Sequence, residues 1–173
     1  MTKIKLIAFD IDGTLTAGGV HLDADGAEEK QFSVVDGLGF RLALDAGFQL
    51  AVISGRTSKA VMARMFLLPP ENVLLAVRNK ETAIALLQER LDVSVGETAF
   101  VGDDLNDLPA FDRAGIKIAV ANAAPQLKRK ADYITKKSGG SGAGREAIEW
   151  LLHRQNAYGD AVGQYLKREL SNV

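Results

Sequence analysis

The chain contains no cysteine. Disulfides, thiolate nucleophiles and sulfur-ligated metals are therefore excluded. Histidine is also scarce, with two in 173 residues, which argues against an imidazole-rich metal centre. Neither sign of charge predominates: 21 basic residues face 22 acidic ones, a net charge of −1. With no basic stripe or pole, neither nucleic acid nor a membrane surface is the expected main partner. No apolar run approaches the length that spans a bilayer. No signal peptide precedes the first expected strand, so the expected location is cytoplasmic.

What is present is an ordinary globular composition, 47% hydrophobic and 25% charged. It suits one domain, residues 1–173, with its own core. Short apolar runs bounded by glycine or polar turns read as buried strands at 3–9, 48–53, 72–77, 98–101 and 116–120, with a short sixth at 133–135. Helical periodicity falls between them. One helix opens at Asp36-Gly37 and closes at Gly47. A second, capped by Ser58, carries Val61, Met62, Met65 and Phe66. Others are expected at 80–91, 105–114 and 145–154, and the polar tail that completes 145–173 is expected to be helical to Leu170. Alternating strands and helices give an α/β fold, a three-layer Rossmann-like, mostly parallel sheet. Residues 17–33, with Asp25-Gly26 at the centre, read as a small β-hairpin. Residues 138–144 are rich in glycine and serine, a composition that reads either as a flexible linker or as a segment that orders over a neighbouring site. They lack the Lys-Ser/Thr of a nucleotide loop.

Chemistry collects at the carboxyl ends of the expected strands, the edge where open parallel sheets bind ligands. Asp10 and Asp12 follow the first strand, Ser54 the second, and Asp103, Asp104 and Asp107 another, while Lys80 opens a helix. Several carboxylates on one edge repel unless a cation joins them. Oxygen donors without His or Cys suit a hard ion, Mg²⁺ above all, with Asp10, Asp12 and Asp103 as its expected ligands. Asp104 and Asp107 either cap the following helix or reach the metal shell, with Asp107 favoured for the latter. In such a site Asp10 can attack phosphorus and Asp12 can serve as general acid and base. Ser54 can hold phosphoryl oxygens, and Lys80 can offset charge in the transition state.

Asp10-Ile11-Asp12-Gly13-Thr14-Leu15, Ser54-Gly55-Arg56, Lys80 and Gly102-Asp103-Asp104-Leu105-Asn106-Asp107 resemble, in order, the four motifs of the haloacid dehalogenase superfamily. Asp12 is similar to the acid of its phosphatase branch. The hairpin in place of a cap domain, the segment from Phe32 to Gly37 and the segment from Gly139 to Glu146 further resemble the cap-less 3-deoxy-D-manno-octulosonate 8-phosphate phosphatase family. Phosphatases of nine-carbon keto-sugar and sialic acid phosphates are similar.

That resemblance implies Mg²⁺-dependent hydrolysis of a phosphorylated sugar acid in lipopolysaccharide biosynthesis. It also implies a homotetramer whose hairpins meet at the centre and whose neighbouring subunit helps to cover each site. By the same resemblance Arg56 and Arg145 are candidates for the sugar-acid carboxylate. Arg78 stands where this group commonly has a Gln-Gly-containing segment, and is a third candidate for contact with an acidic substrate. A catalytically idle scaffold of the same fold is the non-enzyme alternative.

Overall fold

The computed structural model describes residues 2–171. Two short strands, β2 (His21–Leu22) and β3 (Glu28–Glu29), pair antiparallel as a separate ribbon. The others are β1 (Leu6–Phe9), β4 (Gln49–Ile53), β5 (Val73–Leu74), β6 (Thr98–Gly102), β7 (Ile116–Ala119) and β8 (Tyr133–Ile134). They form one sheet of order β5-β4-β1-β6-β7-β8, with every pairing parallel.

Parallel strands need helices on both faces, and the register shows how the faces are divided. Phe9 lies beside Val101, and Ala8 beside Phe100. Laterally paired residues share a face, so Phe9 and Phe100 point to opposite sides. Phe9 packs on Phe40 of α1 (Val34–Asp45), ring centroids 5.0 Å apart. Phe100 packs on Phe111 of α4 (Leu108–Phe111) at 6.1 Å. The first layer adds α6 (Ala143–Arg154) and α7 (Tyr158–Ser171) against α1, and the second adds α3 (Lys80–Leu91) against α4. The six-stranded sheet is the middle of three layers, as the alternation of elements predicts.

Several local expectations change. Helix α1 starts two residues before Asp36, because the Ser33 hydroxyl accepts the Val35 N–H and caps it there. Helix α2 (Lys59–Arg64) buries Val61 and ends before Met65. Of the other apolar residues expected on it, Met65 is buried at its end and Met62 and Phe66 are exposed. Strand β5 is shorter than 72–77 because the chain curls after Leu74. Ala76 adopts φ +57°, and the Val77 N–H donates to the Ser54 carbonyl at 3.0 Å. The stretch expected as one helix over 105–114 is a 3₁₀ turn, Leu105–Asp107, followed by α4.

The tail is helical as α7, pinned to the end of α1 by an Arg168–Asp45 ion pair. Its last two residues lie outside the described residues. Of the two readings of 138–144, the contacts of this segment fit the ordered one. Gly139 is buried, and the Gly140 N–H donates to the Thr14 carbonyl. Glycines let this backbone lie directly on another backbone, and packing replaces the freedom that composition suggests.

Candidate active site

The winding of the sheet reverses between β1 and β6, since β4 and β5 lie on one side of β1 and β6 to β8 on the other. Asp10 leaves the end of β1 and Asp103 the end of β6, so both flank the crevice at the switch point. After Asp10 the chain turns sharply: the N–H groups of Leu15 and Thr16 both donate to the Ile11 carbonyl, at 3.0 Å each. Gly13 adopts φ +103°, and a Cβ there would fall 2.0 Å from Asp103 Oδ2. Only glycine lets Asp103 close on the turn, and Thr14 Oγ1 then donates to Asp103 Oδ1 at 3.1 Å.

Asp10, Asp103 and Asp107 each offer a carboxylate oxygen, all within 4.8 Å of one another. Lys80, buried at the start of α3, donates to Asp10 Oδ1 and, at 2.5 Å, to Asp107 Oδ1. Asp107 Oδ2 accepts the Asp103 N–H at 2.9 Å and so fixes the β6 loop. Among the described residues Asp10 Oδ2 is buried without a hydrogen-bond partner.

The electrostatics follow from this crowding. Burial, then the charge of Asp107, pushes the Asp10 carboxyl well above the ordinary range, against the pull of Lys80. The same two causes raise Asp103 to about 6. Burial opposes the charge on Lys80, but Asp10 and Asp107 outweigh it and hold the ammonium above its usual pKa. Three clustered carboxylates against one ammonium leave unmatched negative charge and an unpartnered oxygen, which a hard divalent cation fits.

Asp12 stands elsewhere. Its carboxylate meets Lys30 Nζ through Oδ1 and the Ser54 hydroxyl through Oδ2 at 3.3 Å. The turn after Asp10 directs this carboxylate away from the cluster, where the third carboxylate is that of Asp107. Asp104 is exposed and accepts the Leu105 N–H at 2.7 Å, a cap of the 3₁₀ turn.

Ser54 is buried, and its Oγ also accepts the Arg56 N–H at 3.1 Å. Arg56 reaches Glu28 of the hairpin at 3.2 Å. Arg78 is exposed on the curl after β5. Arg145 is not brought to the cluster. It lies on α6 beside Gly39 of α1, with its guanidinium paired to Glu149 at 2.7 Å. A cleft of about 640 Å³ opens beside Glu28, lined also by Thr57, Ser58, Lys59, Met62 and Leu75.

Two parts of the site escaped the sequence reading. Lys30 is one. The alternation Glu28-x-Lys30 in an extended segment puts both side chains on one face, a signal that was available. The other is the clamp of Gly139 and Gly140 on the turn, which no local pattern announces.

A family model described as haloacid dehalogenase-like hydrolase matches residues 73–145. The chain is 39% identical over 162 residues to 3-deoxy-D-manno-octulosonate 8-phosphate phosphatase of Escherichia coli K12, covering 94% of this chain and 86% of that one. The enzyme of the same name from Moraxella catarrhalis, solved in complex with a magnesium ion, a phosphate ion and a KDO molecule, superposes with a TM-score of 0.88 at 38% identity, over 94% of this chain and 93% of that one. The cobalt-bound deoxy-D-mannose-octulosonate 8-phosphate phosphatase of Haemophilus influenzae superposes at 0.86 and 38% identity, over 95% and 97%.

Proposed function

The chain belongs to the haloacid dehalogenase-like hydrolases, in the family of the 3-deoxy-D-manno-octulosonate 8-phosphate phosphatases, and we propose that it hydrolyses that sugar-acid phosphate with Mg²⁺. The observation that carries this reading is the cluster of Asp10, Asp103 and Asp107 around Lys80, with one buried Asp10 oxygen unpartnered. Asp10, Asp103 and Asp107 would hold the ion. When bound it offsets the repulsion between carboxylate and phosphate and supplies Lewis acidity to the phosphoryl group.

The protein's own groups perform the transfer. Ser54 Oγ and neighbouring backbone N–H groups hold phosphoryl oxygens. A carboxylate oxygen of Asp10 attacks phosphorus and the bond to the sugar oxygen breaks, leaving an aspartyl-phosphate. Asp12 gives its proton to the departing oxygen, then takes one from the water that frees Asp10. Lys80 orients Asp10 and meets the developing charge. Arg56 and Arg78 are assigned to the sugar-acid carboxylate, since a planar guanidinium pairs well with it. Arg145, already held by Glu149, is left out of this assignment.

We further propose that the working form is a cytoplasmic homotetramer acting in lipopolysaccharide biosynthesis. Among the described residues no helix is long and apolar enough to cross a membrane. Val20 and Leu22 on the hairpin, Val34 (83% exposed) and Phe66 (72%) form apolar surface of the kind that marks an interface. The decisive experiment compares phosphate release by wild type and Asp10→Asn over a panel of sugar phosphates with and without EDTA. Full activity in Asp10→Asn, or preference for neutral sugars, overturns the reading.

A further inference from the structure

Lys30 is a residue that the reaction above does not use. Its side chain is 1% exposed although it stands on a two-stranded ribbon whose neighbours are mostly solvated. It donates to Asp12 Oδ1 and pairs with Glu28 Oε1 at 2.9 Å. Arg56 Nη2 meets the same Glu28 oxygen at 3.2 Å. Burial opposes the charge on Lys30, yet the bonds to Asp12 and Glu28 outweigh it and keep the ammonium above the ordinary lysine pKa.

The hairpin is built to hold that position. Asp23 Oδ1 accepts the N–H groups of Asp25 (2.9 Å) and Ala27 (2.8 Å), closing the turn. The turn sets the register His21 with Glu29 and Leu22 with Glu28, and Lys30 follows directly.

We propose that Lys30 is a positioning residue for the general acid–base step, resting on the phosphatase reading above. It fixes Asp12 Oδ1, so that Oδ2 faces Ser54 and the phosphoryl site where the departing oxygen must receive its proton. Two carboxylates, Asp12 and Glu28, share this one ammonium, and its charge stays in the wall of the site. The hairpin thus serves the chemistry of its own subunit as well as any contact with a neighbour. Removing Lys30 leaves Asp12 free to rotate beside Glu28, and protonation of the leaving group loses its alignment.

The test is the dependence of kcat/KM on leaving-group basicity across substituted phenyl phosphates, which carry no sugar acid to bind. For an aryl ester kcat/KM covers the steps up to loss of the phenol. Basic leaving groups need the proton, and p-nitrophenol does not. Lys30→Met is expected to lose about 100-fold on phenyl phosphate and less than about fivefold on p-nitrophenyl phosphate, the steepening that Asp12→Asn also gives. Lys30→Arg should recover part of the loss, and Mg²⁺ affinity should stay at the wild-type value, since Lys30 touches none of the clustered carboxylates.

A uniform loss across the series, or an unchanged slope, overturns the assignment while leaving the phosphatase reading intact. Wild type inactive on the aryl esters and on the sugar-acid phosphate alike, or undiminished activity in Asp10→Asn, overturns both. Should Lys30→Met not fold, Glu28→Gln carries the test: a milder steepening supports the role, and none refutes it.

Discussion

Gly139→Ala is the smallest change that should separate the motif residues from the packing that aims them. A Cβ at this position would sit 1.7 Å from the Gly13 carbonyl oxygen, 2.5 Å from its carbon and 2.9 Å from the Thr16 carbonyl oxygen. Ordinary contact begins at 3.4 Å, so the two backbones must part by about 1.7 Å, the difference between 3.4 and 1.7. All three atoms are main chain, and no rotamer can relieve the clash. The Gly139 N–H bond to Asn122 Oδ1 (2.9 Å) and the Gly140 N–H bond to the Thr14 carbonyl (3.3 Å) resist the movement. Overpacking of this kind costs about 1–3 kcal/mol, which for a domain of this size lowers Tm by about 2–12 °C.

The larger effect falls on catalysis. The displaced segment carries Asp12 and Thr14, and misplacement by about 1 Å can cost about 100-fold in rate. Steady-state kinetics with saturating Mg²⁺, alongside thermal unfolding, is the assay, and kcat should fall by about that factor. Gly159→Ala is the control, since nothing lies within 4 Å of a Cβ in that position of α7, and it should leave activity unchanged. A Gly139→Ala enzyme with wild-type Tm, and kcat within about twofold of wild type, would refute the clamp.

Other consequences follow from the same contacts. Asp36 is buried and its Oδ1 accepts the Arg145 N–H at 2.7 Å, capping α6, whose own N-cap residue Gly142 has no side chain. Asp36→Ala should cost about 1–2 kcal/mol, read as a shift of the denaturant midpoint. Burial, then Asp107, raises Asp103 to about 6 from an ordinary 3.8. A raised acid pKa stabilises the folded metal-free protein below the unfolded value, and that contribution is lost as pH climbs through about 6. Above that pH the cation replaces the proton, so Mg²⁺ affinity measured by calorimetry should fall roughly tenfold per pH unit below it. Phe66→Glu puts charge into the exposed apolar surface and should reduce the mass seen by light scattering, with Tm nearly unchanged because Phe66 is already exposed.

The architecture was legible because its signals are local. Apolar runs such as Leu6–Phe9 mark strands buried on both faces, and polar residues at their ends mark the functional edge. The apolar residues expected on α2 divide for a local reason as well: Val61 and Met65 pack into the core, while the helix stops at Arg64 and leaves Met62 and Phe66 exposed. Residues 138–144 stayed open between a flexible and an ordered reading for the opposite reason. Their composition describes an isolated chain, whereas their partners, Gly13, Thr14 and Thr16, are more than a hundred positions away.

The sequence by itself determined the parallel α/β fold, the carboxylates at the strand ends, and Ser54 and Lys80 beside them. These depend on residue type and on spacing along one segment. Only the tertiary structure decided how the carboxylates divide. Asp10, Asp103 and Asp107 gather around Lys80 with charge to spare, while Asp12 is matched by Lys30. Which carboxylate meets which ammonium depends on a turn, a strand switch and a hairpin meeting in space, and proximity along the chain carries none of that.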